Sequence, residues 1–208
     1  MNTDVLTFMW LAPGAFLLGS LPFSVWLGRL FLRKDIRAFG DGNPGAANVF
    51  RAGNPVIGAF AVILDIGKGV PFVALSQKMY HLPEVALMGI GLSAILGHAF
   101  SPMLGFKGGK SLAVTAGVII GLLDAQLFFA FFIPALVFAL ILESHAWLAI
   151  LSPLSTLVYL TVSRTSVWEI LFMLCVVSIF ASKQMRDIHG PPRLKPRLIG
   201  WLMPRRQA

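Results

Sequence analysis

Leu112–Leu142, LAVTAGVIIGLLDAQLFFAFFIPALVFALIL, decides how many times this chain crosses a membrane. It reads either as one long helix or as two helices broken at Asp124. With the break, Leu112–Leu123 is roughly 18 Å of helix, well short of a ~30 Å hydrocarbon core, and 125–142 follows as a separate helix. Charge chooses between the readings. The break makes seven apolar segments, at 5–32, 56–76, 85–104, 112–123, 125–142, 145–162 and 167–181, so the two termini lie on opposite sides. Thirteen of the 17 Lys and Arg residues then share the cytoplasmic side: Arg33, Lys34, Arg37, Arg51, Lys107, Lys110, Lys183, Arg186, Arg193, Lys195, Arg197, Arg205 and Arg206. Lys78 and Arg164 fall outside, and Arg29 and Lys68 lie within apolar segments. A single merged helix would instead put the seven tail cations outside, against the positive-inside rule. The expected fold is an all-α integral membrane protein of seven transmembrane helices, N-terminus outside and C-terminus cytoplasmic.

Composition agrees. Of 208 residues, 57% are hydrophobic and only 12% charged, with a mean hydropathy of +0.80. This excludes an ordinary soluble domain. The net charge of +8 would suggest nucleic acid in a soluble chain, but here the cations sit in short loops and the tail, where they set topology. Cys175 is the only cysteine, so neither an intrachain disulfide nor a Cys-based metal site is expected. The N-terminal MNTDVLTFMW lacks a basic n-region, so the first segment is expected to stay in the mature protein. Residues 1–182 read as one membrane-embedded bundle and 183–208 as a basic, Pro-rich cytoplasmic tail suited to anionic lipid. Phe128, Phe129, Phe131 and Phe132 read as lipid-facing or packing residues, and Glu143 and His145 as a solvated turn.

Three polar features interrupt the apolar pattern. The first is Asp35–Arg51, DIRAFGDGNPGAANVFR. Gly40, Gly42, Pro44 and Gly45 shape a turn that can present backbone N–H groups to one anion. Arg37 and Arg51 flank it with forks that match phosphate oxygens, and Asn43 and Asn48 add amide donors. A linker carrying positive-inside arginines is an equal reading of this stretch alone. The second is LDIGKG, Leu64–Gly69, with Asp65 and Lys68 on one helix face inside an apolar segment. Charges there are costly and are usually paired, functional or both. The third is GFKGGKS, Gly105–Ser111, preceded by His98. Two lysines and a Gly pair open the next helix, where anions are favoured. It is half of a P-loop, because the first glycine of GxxxxGK[ST] is missing.

All three open toward one cytoplasmic face. A phosphate cradle beside an apolar bundle suits a substrate with a phosphate head and an acyl tail. GSLPF (Gly19–Phe23), DIRAFGDGNPGAANVFR, LDIGKG and GHAFSPMLGFKGGKS (Gly97–Ser111) together resemble the acyl-phosphate:glycerol-3-phosphate acyltransferase (PlsY) family, in its order and spacing. The resemblance implies a seven-helix enzyme of the bacterial inner membrane with its active face cytoplasmic. Such enzymes move a fatty acyl group from acyl phosphate to the 1-hydroxyl of glycerol 3-phosphate, giving lysophosphatidic acid for phospholipid synthesis, without metal or cofactor. The partners implied are those two substrates and the lipid bilayer.

By the same resemblance, the catalytic positions are Asn43, Arg51, His98 and Lys107. The substrate-binding positions are Ser20, Arg37, Gly40, Asp41, Gly45, Asn48, Asp65, Lys68, Gly69, Gly108, Gly109 and Lys110. Acyl phosphate is already activated, so no protein nucleophile is needed; positioning and oxyanion stabilisation suffice. The departing phosphate can take the hydroxyl proton, with His98 as the protein-side alternative. Four departures from the family pattern stand out. Asp41 replaces a small hydroxyl, Ala47 a Thr and Ser111 a Gly, and Gln184–Ile188 lacks the usual His and Asn of the last helix end. A non-catalytic or altered-specificity relative that binds acyl phosphate or phospholipid is therefore an alternative, and an organic-anion transporter a weaker one.

Overall fold

A computed structural model of the chain describes residues 3–163, 165–188 and 190–195. Regular structure among them is helical, apart from one isolated antiparallel bridge between Leu142 and Leu194. The helices are α1 (Thr3–Gly19), α2 (Phe23–Leu27), α3 (Ala46–Arg51), α4 (Pro55–Gly67), α5 (Pro71–Lys78), α6 (Glu84–Ala99), α7 (Leu112–Leu122), α8 (Ala125–Ile141), α9 (His145–Val162) and α10 (Val167–Gln184). Five stretches are long and apolar enough to cross a membrane: Thr3–Leu32, Pro55–Lys78, Glu84–Leu104, His145–Ser163 and Val167–Gln184. The helices α7 and α8 are apolar but shorter. Large apolar side chains face outward on several helices, among them Trp10 at 79% and Val162 at 77% exposure. That is the surface expected against hydrocarbon rather than water.

The break at Asp124 is present. Leu123 takes a left-handed conformation (φ 55°), and the Asp124 carboxylate caps α8 by accepting from the Leu127 N–H at 2.7 Å. Two further breaks shape the bundle. The first apolar segment divides at Ser20–Pro22 and continues through α2 into a π-helical turn, Gly28–Leu32. The second divides at Lys68–Val70, where Pro71 opens α5, although the hydropathy of 56–76 is continuous.

Small residues let the helix pairs around these breaks approach closely. A Cβ on Gly19 would strike the Ala94 carbonyl, and one on Gly97 the Phe16 carbonyl, so α1 lies directly on α6. Likewise Gly117 of α7 faces the Ile66 carbonyl of α4, and Gly69 faces the Val114 carbonyl. The main core, with Ile90, Ile95, Val118, Leu127, Phe131 and Phe172 fully or almost fully buried, runs between α6, α7, α8 and α10. A smaller core of Val25, Ile36, Val49, Ala52 and Ala61 seats the polar turn on α2 and α4.

Candidate active site

The Asp35–Arg51 turn is built from its own side chains. Asp35 caps a short 3₁₀ turn, Ile36–Ala38, and grips Arg37 through two side-chain contacts, at 2.9 and 2.6 Å. The hydrogen bond from Arg37 holds the Asp35 carboxyl well below the usual carboxylate range against the opposing effect of burial, and raises Arg37 in return. Lys34 donates to the Ala52 carbonyl at 2.8 Å and ties the two ends of the turn together. Gly40 has φ +57°, and a Cβ there would meet the Asn48 and Arg51 side chains at 2.5–2.7 Å. Only glycine fits both demands.

Asn48, completely buried, is the hub. Its Nδ2 donates to Asp41 Oδ1 (3.0 Å) and to the Asn43 carbonyl (2.9 Å), and its Oδ1 accepts from Arg51 Nη1 at 2.7 Å. Asp41 Oδ1 also accepts from the Asn43 N–H at 3.1 Å, the Asx bond that its position in a Gly-rich turn favours. Arg51 lies 3.6 Å from the same carboxylate, and Lys110 Nζ reaches its other oxygen at 2.6 Å. Burial opposes ionisation of Asp41. The hydrogen bonds from Lys110, the Asn43 N–H and Asn48, with the Lys110 charge, outweigh it and hold the carboxyl below its ordinary value.

The KGGK turn is clamped to the end of α6. The Gly109 N–H donates to the His98 carbonyl at 3.0 Å, and Gly108 and Gly109 lie so close to His98 that neither could carry a Cβ. His98 Nδ1 sits 4.0 Å from Asp65 Oδ1. Asp65 pairs with Lys68 at 2.8 Å and accepts from Ser24 Oγ at 2.9 Å, and Lys68 also donates to the Leu21 carbonyl. Both members of the pair are buried, at 3% and 4% exposure, so it fastens α2 to α4 beneath the site.

A cavity of about 370 Å³ opens between the two turns. Its polar end is lined by Asn43, Gly45, Asp65, His98, Lys110, Ser111, His145 and Gln184; its apolar end runs between α7, α8 and α9 to Phe131, Phe132 and Leu148. The structure thus gathers Asn43, Gly45, Asp65, His98 and Lys110 on one wall, with Gly40, Asp41, Asn48 and Arg51 building the turn behind it. Other expected positions lie elsewhere. Lys107 is exposed and off the cavity wall, and the Arg37 guanidinium is taken up by Asp35. Ser20 is buried at the end of α1, bonded to the Phe16 carbonyl, with its own carbonyl accepting from Ser101. Lys68 and Gly69 serve packing beside the wall rather than lining it. Phe131 and Phe132 pack in and against the main core and His145 is exposed in its turn, as expected, and all three also line the cavity. Only Gln184, a polar residue at the end of an apolar helix, carried a local hint.

The fold and site define an integral membrane helical bundle: apolar helices around a cradle of Asn, Arg and Lys with an apolar cavity behind it. A family model described as glycerol-3-phosphate acyltransferase matches residues 9–189, and the chain belongs to that family. A glycerol-3-phosphate acyltransferase of Streptococcus gordonii is 32% identical over 90% of this chain and 90% of its own length. One of Streptococcus sanguinis is 37% identical over 69% of this chain and 64% of its own length, and one of Macrococcus caseolyticus is 46% identical over 51% and 54%. For these last two, the match spans less than two thirds of the relative. The crystal structure of PlsY, an integral membrane glycerol 3-phosphate acyltransferase, in its glycerol 3-phosphate form superposes with a TM-score of 0.78 at 25% identity, covering 96% of this chain and 94% of that one. The lysophosphatidic acid form of the same protein superposes with a TM-score of 0.73.

Proposed function

We propose that this protein transfers a fatty acyl group from acyl phosphate to the 1-hydroxyl of glycerol 3-phosphate at the cytoplasmic face of a bacterial inner membrane. The observation that carries the reading is one juxtaposition. Asn43 and Lys110, backed by Asn48 and Arg51, stand at the polar end of a cavity whose other end, at Phe131 and Phe132, is apolar. That far end lies about half a hydrocarbon thickness from the end of α8, counting 1.5 Å per residue from Ile141. Such a site takes a phosphate and an alkyl chain together.

The chemistry asks little more of the protein. The glycerol oxygen attacks the acyl carbonyl carbon, the bond to phosphate breaks, and the departing phosphate takes the hydroxyl proton. Donors aimed at the phosphate and the developing oxyanion supply the stabilisation. Asn43 and Lys110 are on the wall for this, and Arg51 is held behind by Asn48. His98 packs against Gly109 and so sets the KGGK turn, which makes it a positioning residue. In this reading seven apolar segments cross or enter the bilayer. The shorter α7 and the irregular 105–111 turn are shielded within protein, as non-helical backbone at membrane depth requires.

Purified protein given palmitoyl phosphate and glycerol 3-phosphate should release phosphate and form lysophosphatidic acid in equal amounts. Absence of both products, with anion flux across proteoliposomes instead, would replace the acyltransferase with a transporter.

A further inference from the structure

Lys110 carries two carboxylates. Its Nζ is 2.6 Å from Asp41 Oδ2 and 2.7 Å from Asp187 Oδ2. Asp41 in turn collects the Asn43 N–H, the Asn48 amide and, at 3.6 Å, the Arg51 guanidinium. Backbone N–H, amide, guanidinium and ammonium together are the donors a phosphate would draw on. An internal carboxylate therefore holds the cradle, and a second one shares its lysine. Among the described residues the cations paired with these two carboxylates are Lys110 and Arg51, so an incoming phosphate competes with a carboxylate for Lys110.

The two carboxylates are mounted differently. Asp41 is fixed within the turn by its Asx bond and by buried Asn48. Asp187 stands where α10 gives way to a strap that folds back over the cytoplasmic end of the bundle. That strap is fastened at the α8–α9 corner. The Gly190 carbonyl accepts from Trp147 Nε1 (3.0 Å), the Arg193 carbonyl from the Glu143 N–H (3.0 Å), and the Lys195 N–H donates to the Ile141 carbonyl (2.9 Å). The two elements it joins, α10 and the α8–α9 corner, supply Gln184, His145 and Leu148 to the cavity wall. Lys195 Nζ also donates to the Ala139 carbonyl, and hydrogen bonds of this kind at the surface open more readily than buried packing.

Resting on the acyltransferase reading, we propose that Asp187 is an exchangeable arm: a substrate phosphate binds by taking its place on Lys110, and the strap comes loose as it does. Asp41 stays in the turn and lends its shape. Asp187 thereby sets phosphate affinity without touching the reacting atoms, and ties substrate binding to the position of the C-terminal segment.

The test uses the full chain in detergent or nanodiscs. KM is measured for palmitoyl phosphate and for glycerol 3-phosphate, each with the other saturating, in wild type, Asp187→Asn and Trp147→Phe. Asp187→Asn should lower KM for one of them by about two- to fivefold, the range of a partly exposed ion pair, with kcat unchanged. The substrate whose KM falls is the one whose phosphate displaces Asp187. Trp147→Phe, which loosens the strap far from Lys110, should move the same KM the same way by less. Inorganic phosphate should also speed proteolytic cleavage at 190–195 in wild type, and Asp187→Asn should be cleaved fast without it. Unchanged KM values in Asp187→Asn, or a strap cut equally with and without phosphate, overturn the exchange and leave the acyltransferase reading intact. If wild type turns over neither substrate, that reading falls, and phosphate-dependent cleavage alone decides for or against the exchange.

Discussion

Asn48 makes no contact with the cavity, yet the candidate site hangs on it. Its amide is completely buried and fully used, two donors going to Asp41 and the Asn43 carbonyl and one acceptor to Arg51. Asn48→Ala would strand these partners, at about 1–3 kcal/mol of stability, and release Arg51. Acyl transfer should fall at least tenfold while the protein still inserts, as measured on membrane fractions. Asp41 makes a prediction in pH. Its folded value lies below the ordinary 3.8, so the stability it contributes is complete above that value and is lost as pH falls through the folded value. Thermal stability in detergent should drop on acidification below about pH 4, and Asp41→Asn should flatten that limb. A limb equally steep in Asp41→Asn would assign it to other carboxylates, of which Asp35 is also held low. At this scale the sequence was readable where residue type and spacing coincide, as at Gly40, Asn43, Asn48, Arg51 and Lys110. Less readable is a cation with a near neighbour of opposite sign: the side chain of Arg37 is held through Nε and Nη2 by Asp35, two residues back.

Helix breaks, more than helix lengths, place the site. The break at Asp124 could be read from charge alone. The break at Lys68–Val70 could not, because Val56–Ser76 is apolar throughout apart from the charged pair, and Pro71 is equally at home as the first residue of a helix. What forces that break is tertiary. Gly69 and Gly117 let α4 and α7 approach to backbone contact, and that leaves no room for side chains. Gly117→Ala should therefore destabilise the solubilised protein by about 1–3 kcal/mol through overpacking, measured as a lower midpoint of thermal unfolding. The Asp65–Lys68 pair belongs to the same junction. Either residue neutralised alone leaves a buried charge with no counter-ion, an effect of about 3 kcal/mol or more. Asp65→Asn and Lys68→Met should each be less stable than the double variant. A double variant as unstable as the sum of the singles would mean that the two do not act as a pair. Phe131 and Phe132 show the opposite limit: four phenylalanines within five residues give no sign of which face meets a cavity, and only the packing of α8 on α9 selects them.

For the whole molecule, the question is which end faces the cytoplasm. The described cations are not spread evenly. Lys34 bonds the Ala52 carbonyl, Lys110 joins Asp41 to Asp187, Lys183 bonds the Ala99 carbonyl and Lys195 the Ala139 carbonyl, so all four sit at one end of the bundle with the cradle. The other end carries Asp124 and Glu169, with Lys78 as its one described cation from the loops. By the positive-inside rule we propose the orientation that puts the cradle and the strap in the cytoplasm and Thr3 outside. Five helices long enough to span leave the parity to α7 and α8, which together cross either twice or once. The Asp124 cap does bear on it. A carboxylate fixed at a helix start is costly in hydrocarbon and belongs at an interface or a protein-lined pocket, so α7 and α8 should each run to the far side. Reporter fusions decide this. A reporter active only in the cytoplasm should be active when fused at residue 208 and silent when inserted beside Lys78, and a periplasmic reporter should give the reverse. Equal signals at the two positions would mean an even number of crossings between Lys78 and the C-terminus, and the paired course of α7 and α8 through the membrane would have to be abandoned.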